Sequence, residues 1–285
     1  MLRDMIKSLL VGLDSGENRD IVQKYALELG SYFGARVTGI HLLDLRKLYS
    51  PFVEDLLYSA GLASIPDLQS LVRERLEKLG ETIREDFERS LNEFRLQGEC
   101  LLQEGVVSHE LCKEARKHDI MVLGTKGEHS SITEIILGST FSEMLRIVAQ
   151  PILVVPEACN RFYIRRILVA YDGSGKSSNA LRFAAQSVRD YNLEIEVVVC
   201  DDGSLEDAEA TYEEASAFLK THDVKWGGRI IKGGAADCLL EHAQTTNCDV
   251  LAFGASHSGV VRELFLGSVA RQLLENTKIP CLMVP

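Results

Sequence analysis

A chain of 285 residues, 46% apolar and 26% charged, has room for two domains, each with a core of its own. Its net charge of −11 argues against a nucleic-acid surface, which needs a basic patch, and no Lys/Arg cluster supplies one. Seven cysteines without a C-x-x-C pair fit thiols in a reducing compartment better than a disulfide frame or a zinc site. The apolar run at the start is too short for a signal peptide, and no 18-residue apolar stretch occurs. A cytoplasmic protein with no membrane contact is expected.

Residues 8–13 (SLLVGL) form a continuous apolar run, as in a strand buried on both faces of a parallel sheet, and Asp14-Ser15-Gly16 ends it. Ile21, Tyr25, Leu29 and Phe33 recur every fourth residue, which predicts an amphipathic helix closed by Gly34. Residues 36–43 read as the second strand. Ser64 and Pro66 read as a helix start, and the apolar positions from Leu68 to Phe94 then keep spacings of three and four. That predicts an amphipathic helix of roughly 30 residues. A short strand at 101–103, a helix at 108–117 and strands at 121–123 and 152–155 complete the first half. A short linker at 157–165 should leave the two halves sitting against each other. The second half repeats the order, with strands at 167–171, 196–200 and 229–231 and helical stretches at 181–188 and 238–243. Alternating strands and helices predict an α/β fold with a mostly parallel sheet.

The repeat is clearest between residues 121–156 and 250–285. Gly124 answers to Gly254, Gly138-Ser139 to Gly267-Ser268, Pro151 to Pro280 and Pro156 to Pro285, each about 129 or 130 residues apart. Asp14 answers to Asp172 about 158 residues on, so the first copy carries about 28 extra residues between its second and third strands. The long helix is assigned to that insertion, at about 44–98. A strand ending in Gly can turn sharply and approach a ligand without a Cβ in the way. Gly-Ser at a helix start offers free N–H groups and a hydroxyl to an anion. Two such loops in register point to phosphate.

VGLDSG and VAYDGS at the two starts, GTKG…LGST and GASH…LGSV toward the two ends, and the closing PILVVP and PCLMVP together resemble the universal stress protein family in its tandem form. The resemblance covers nearly the whole chain. It implies two Rossmann-like domains (adenine nucleotide alpha hydrolase-like), at 1–157 and 164–285, each with a mostly parallel five-stranded sheet, paired through their last strands as an intramolecular pseudo-dimer. It also implies binding of ATP or another adenine nucleotide, with or without Mg2+. Asp14 and Asp172 would lie beside base and ribose. Gly124, Gly127, Gly138, Ser139 and Thr140 would hold phosphates in the first copy, and Gly254, Gly267 and Ser268 in the second. Two positions depart from the family pattern. Ten residues separate Gly127 from Gly138 where the family has nine, and His257 stands where the second copy's second Gly should be. An imidazole there is expected to fill phosphate space, making the pockets unequal.

A competing motif is Gly175-Lys176-Ser177, which ends a permissive Walker A pattern, with residues 197–201 (VVVCD) as its Walker B strand; it would make the protein an ATPase or kinase. Against it, Ala170 continues an apolar strand and the first copy has no Gly-Lys. No histidine pairing suggests a metal, and no nucleophile with a base suggests a hydrolase. The reading is a stress-response sensor or regulator without efficient catalysis, with an unidentified protein partner and a homodimer of tandems as a further option. A nucleotide-free interaction module working through the long helix is the remaining alternative.

Overall fold

The computed structural model describes residues 6–16, 18–43, 68–125, 144, 147–159, 161–188, 191–255 and 267–285. The first half runs β1 (Ser8–Gly12), α1 (Arg19–Phe33), β2 (Arg36–Leu43), α2 (Leu68–Glu93), β3 (Gly98–Glu104), α3 (Val107–Ala115), β4 (Ile120–Gly124) and β5 (Ile152–Val155). The second runs β6 (Arg166–Ala170), α4 (Gly175–Val188), β7 (Glu194–Asp201), α5 (Leu205–Lys220), β8 (Lys225–Lys232), α6 (Ala235–Thr245), β9 (Val250–Gly254), α7 (Ser268–Asn276) and β10 (Cys281–Val284).

All ten strands share one sheet, ordered β3-β2-β1-β4-β5-β10-β9-β6-β7-β8. Each half is a parallel 3-2-1-4-5 sheet, and the halves fuse where β5 and β10 pair antiparallel with Leu282 opposite Leu153. The two five-stranded sheets expected from the repeat are thus one ten-stranded sheet. The fusion through the last strands is the expected one, and it covers an apolar edge on each half. Both faces of the sheet are buried. One cluster gathers Leu9, Val11, Val37, Ile167 and Val169; the other gathers Leu10, Ile40, Met121, Leu168 and Leu251. That double burial is why the strands read as continuous apolar runs.

The long helix needs a correction. α2 is the ordinary crossover between β2 and β3, because α5 makes the same crossover between β7 and β8. The extra residues of the first half therefore lie in 44–67, outside the described residues, and in the greater length of α2, 26 residues against 16. Only the latter half of α2 is held firmly. Ile83, Phe87 and Leu91 are buried, whereas Leu71 and Leu79 are exposed.

Two contacts repeat or reciprocate across the halves. Asp119 Oδ2 accepts from the backbone N–H groups of Lys7 and Ser8, and Asp249 Oδ2 does the same for Arg165 and Arg166. Each carboxylate pins the chain just before its half's first strand to the start of the fourth. Across the join, the Tyr32 hydroxyl donates to the Tyr191 carbonyl (3.2 Å) and the Tyr191 hydroxyl to the Phe33 carbonyl (3.3 Å), beside tilted and edge-to-face aromatic rings. Asp249→Ala frees two backbone donors at once. A loss of about 2 kcal/mol is expected, since a bond to a charged acceptor contributes about 1.5–3 kcal/mol; urea unfolding checks it.

Candidate functional site

In each half the strand order reverses between the first and fourth strands, with β2 and β5 on opposite sides of β1 and β4. Ligands of open α/β sheets bind outside the carboxyl ends of the strands at such a switch point. In the first half that crevice lies beyond Gly12 and Gly124; in the second it lies beyond Ala170 and Gly254.

The aspartates after the first strands sit in matching turns. Asp14 Oδ1 accepts from Gly16 N–H at 3.0 Å, and Asp172 Oδ1 from Ser174 N–H at 3.0 Å. The residue before each aspartate bonds to the second strand, Leu13 N–H to the Ile40 carbonyl and Tyr171 N–H to the Val198 carbonyl. Partial desolvation alone would raise the Asp172 carboxyl. Hydrogen bonds from Ser174 and Ser177 outweigh it and hold the group below the usual carboxylate range, so it stays ionised at neutral pH.

The second crevice is built around the first turn of α4. Asp172 N–H donates to Ser177 Oγ at 3.3 Å, and Ser177 Oγ itself donates to the Ser174 carbonyl at 3.0 Å. Gly254 lies directly behind: a Cβ there would come within 2.4 Å of the Lys176 carbonyl carbon. Asp172, the start of α4 and Gly254 are therefore one packed cluster. The Gly at the end of β9 provides space for a helix, a requirement the loop pattern did not reveal. The same geometry bears on the Walker-like segment. Gly175-Lys176-Ser177 forms the first turn of α4, and Ser177 is buried with its hydroxyl engaged inside the turn. A P-loop serine must instead turn its hydroxyl outward to a metal.

Gly267 caps α7, and Ser268 is its first residue, as expected. Gly267 has no side chain to cap this end itself. Gly127, Gly138, Ser139, Thr140 and His257 lie outside the described residues. Gly124 stands at the end of β4, beside β5, with Thr125 N–H donating to the Val155 carbonyl. Among the described residues no group of three His, Cys, Asp or Glu side chains could hold a metal ion. No described helix is long and apolar enough to cross a membrane.

A residue the motifs passed over braces the chain just before Asp14. His41, near the end of β2, is buried and places Nδ1 2.7 Å from the Leu13 carbonyl. A carbonyl only accepts, so Nδ1 carries the proton. Val199 holds the corresponding place in the second half. A single histidine in an apolar strand gives no signal in sequence.

The universal stress protein family profile matches residues 5–156 and 164–285. A universal stress protein of Synechocystis sp. is 24% identical over 289 residues, 97% of this chain and 99% of its own length. One of Mycolicibacterium smegmatis is 23% identical over 293 residues, 97% of this chain and 96% of its own. Among solved structures, a universal stress protein from Archaeoglobus fulgidus superposes with a TM-score of 0.73 at 18% identity, covering 97% of each chain.

Proposed function

Because the chain belongs to the universal stress protein family, in tandem form, we propose that it binds ATP or a related adenine nucleotide and serves as a cytoplasmic stress-response sensor or regulator without efficient catalysis. The observation that carries this reading is the doubled switch-point crevice. In each half a fourth strand ends in Gly (Gly124, Gly254) beside an aspartate held in a tight turn (Asp14, Asp172). In the second half a helix start at Gly267-Ser268, with a glycine at the cap, adds backbone donors suited to phosphate. Asp14 and Asp172 would accept from ribose hydroxyls or the base. Backbone N–H groups of Gly127, Gly138, Ser139 and Thr140 would hold phosphates in the first half, with Mg2+ as an optional counter-ion. His257 would crowd the phosphate space of the second half and make that pocket the weaker one.

Mass spectrometry of small molecules released by heat-denaturing the purified chain tests the reading, with calorimetry against ATP as the second measurement. Adenine nucleotide released, or bound on titration, supports it; neither in a folded protein overturns it. Steady magnesium-dependent turnover would favour an enzyme instead. Gly138→Val places a branched side chain where backbone donors would meet phosphate. The expected result is at least a tenfold loss of affinity, about 1.4 kcal/mol, in a chain that still unfolds at the wild-type midpoint.

A further inference from the structure

Five of the seven cysteines, Cys100, Cys112, Cys159, Cys248 and Cys281, are buried. The other two, Cys200 and Cys238, are partly exposed and adjacent, although 38 positions separate them in sequence. Cys200 is the last residue but one of β7, and Cys238 lies at the start of α6. The Cys200 sulfur is 3.9 Å from the Ala235 carbonyl oxygen, in the first turn of α6, and the Cys238 sulfur is 3.6 Å from the Lys232 carbonyl oxygen. Each thiol donates to a backbone carbonyl at the junction of β8 and α6, and Cys200 feels Cys238 as a near neighbour. Gly233 makes room for this arrangement. It has a φ of 139°, and a Cβ at that position would stand 2.9 Å from the Cys238 sulfur. The first half has no such pair, since Leu42 and Glu110 occupy the equivalent places.

We propose that Cys200 and Cys238 form a reversible oxidation site, a dithiol that a hydroperoxide converts to an intramolecular disulfide. Cys238 leads, because its sulfur lies at the exposed surface whereas the Cys200 sulfur is partly buried behind it. Its thiolate attacks one peroxide oxygen. An S–O bond forms and the O–O bond breaks; the leaving group, hydroxide from hydrogen peroxide or alkoxide from an organic hydroperoxide, takes a proton from water and departs as water or the alcohol. Cys200 then attacks the sulfenic sulfur. The S–S bond forms, the S–O bond breaks, and hydroxide combines with the Cys200 proton as a second leaving water. Two electrons pass from the dithiol to the peroxide, and a thiol reductant restores both cysteines.

The order of the two cysteines has a physical basis. Burial, then the negative charge of the neighbouring Cys238, push the Cys200 thiol up to about 12, so it is not the first nucleophile at neutral pH. Oxidation of Cys238 removes that neighbouring charge and eases departure of the Cys200 proton. The new bond would staple the end of β7 to the start of α6. This inference does not depend on nucleotide occupancy.

The test treats the reduced full-length chain, dilute and desalted, with hydrogen peroxide, then alkylates, digests and maps it by mass spectrometry. The expected result is a Cys200–Cys238 linked peptide, with alkylatable thiols falling by two under denaturing conditions and returning after dithiothreitol. In Cys200→Ser the link is lost, and Cys238 is trapped by dimedone as a sulfenic acid. In Cys238→Ser peroxide leaves Cys200 alkylatable. Wild-type protein that yields no linked peptide, or that goes to sulfinic acid which dithiothreitol does not reverse, would overturn the proposal. The wild-type map decides the matter even if a variant folds poorly.

Discussion

His242→Leu should cost the folded chain about 3 kcal/mol, the low end of what removing one member of a buried ion pair does. His242 on α6 points Nε2 at Glu196 Oε1 on β7, 3.0 Å away, and both side chains are buried. An ionised carboxylate only accepts, so Nε2 donates. Arg229 on β8 stands 3.6 Å from the same oxygen but is mostly in water, so it compensates only weakly. Leucine fills the space and leaves the carboxylate of Glu196 inside the sheet with only the exposed Arg229 near it. Removing the charge together with its partner should avoid most of that cost. In the first half Thr38 and Glu114, both buried, occupy the places of Glu196 and His242, and Glu114 pairs with Lys117 instead. The strand position thus already accepts a threonine in one half. The double substitution Glu196→Thr, His242→Leu should therefore recover more than half of the loss in urea unfolding. If the double variant were less stable than His242→Leu alone, the ion pair would be a net source of stability and the argument would fail.

Gly254→Val is expected to destabilise by about 3 kcal/mol, the upper part of the usual overpacking range. Its Cβ would stand 2.4 Å from the Lys176 carbonyl carbon and 2.7 Å from the carbonyl oxygen. Backbone cannot move aside as a flexible side chain can, so α4 must lift off the end of β9. Gly267 gives the contrast. A Cβ there meets none of the described residues within 4 Å, and its φ of −53° suits any residue. Gly267→Val should leave the unfolding midpoint nearly unchanged and act on nucleotide affinity instead. Wild-type stability in Gly254→Val, combined with lost binding, would show that its open side faces the ligand.

The two glycines mark how far the sequence could be read. Both appear as loop glycines, yet one makes room for a helix that begins 79 positions earlier in the chain, which no local pattern conveys. Where burial is two-sided and local the reading held: β2 and β5 have the expected bounds, and Gly34 closes α1 at a φ of 65°. α5 escaped because its buried positions are mostly small (Ala208, Ala215, Ser216, with Leu219), so the period of large apolar residues is faint. Its start was legible in chemistry, since Ser204 accepts from Asp207 N–H and two acidic residues fill the first turn. The carboxylate of Asp119 was hidden for another reason, bonding to a backbone 111 residues away. In the candidate site, Asp14 and Asp172 were readable from repetition alone. His41 and the Cys200–Cys238 pair were not, because their partners come from strands and helices distant in sequence.

The join between β5 and β10 bears on how the two halves could diverge. Leu153 faces Leu282 at the centre, Ile152 faces Met283, and Val154 faces Cys281. Two identical subunits meeting on a twofold axis would have to repeat one contact on both sides of that centre. A single continuous polypeptide is free of this rule. Here one flank seats two long side chains and the other two short ones, so a gain in volume on one side is not copied to the other. The same freedom let one half take a histidine–glutamate pair and a dithiol at positions where its sibling keeps a threonine, a leucine and two glutamates. Covalent linkage has turned a symmetric seam into one that each half can edit alone.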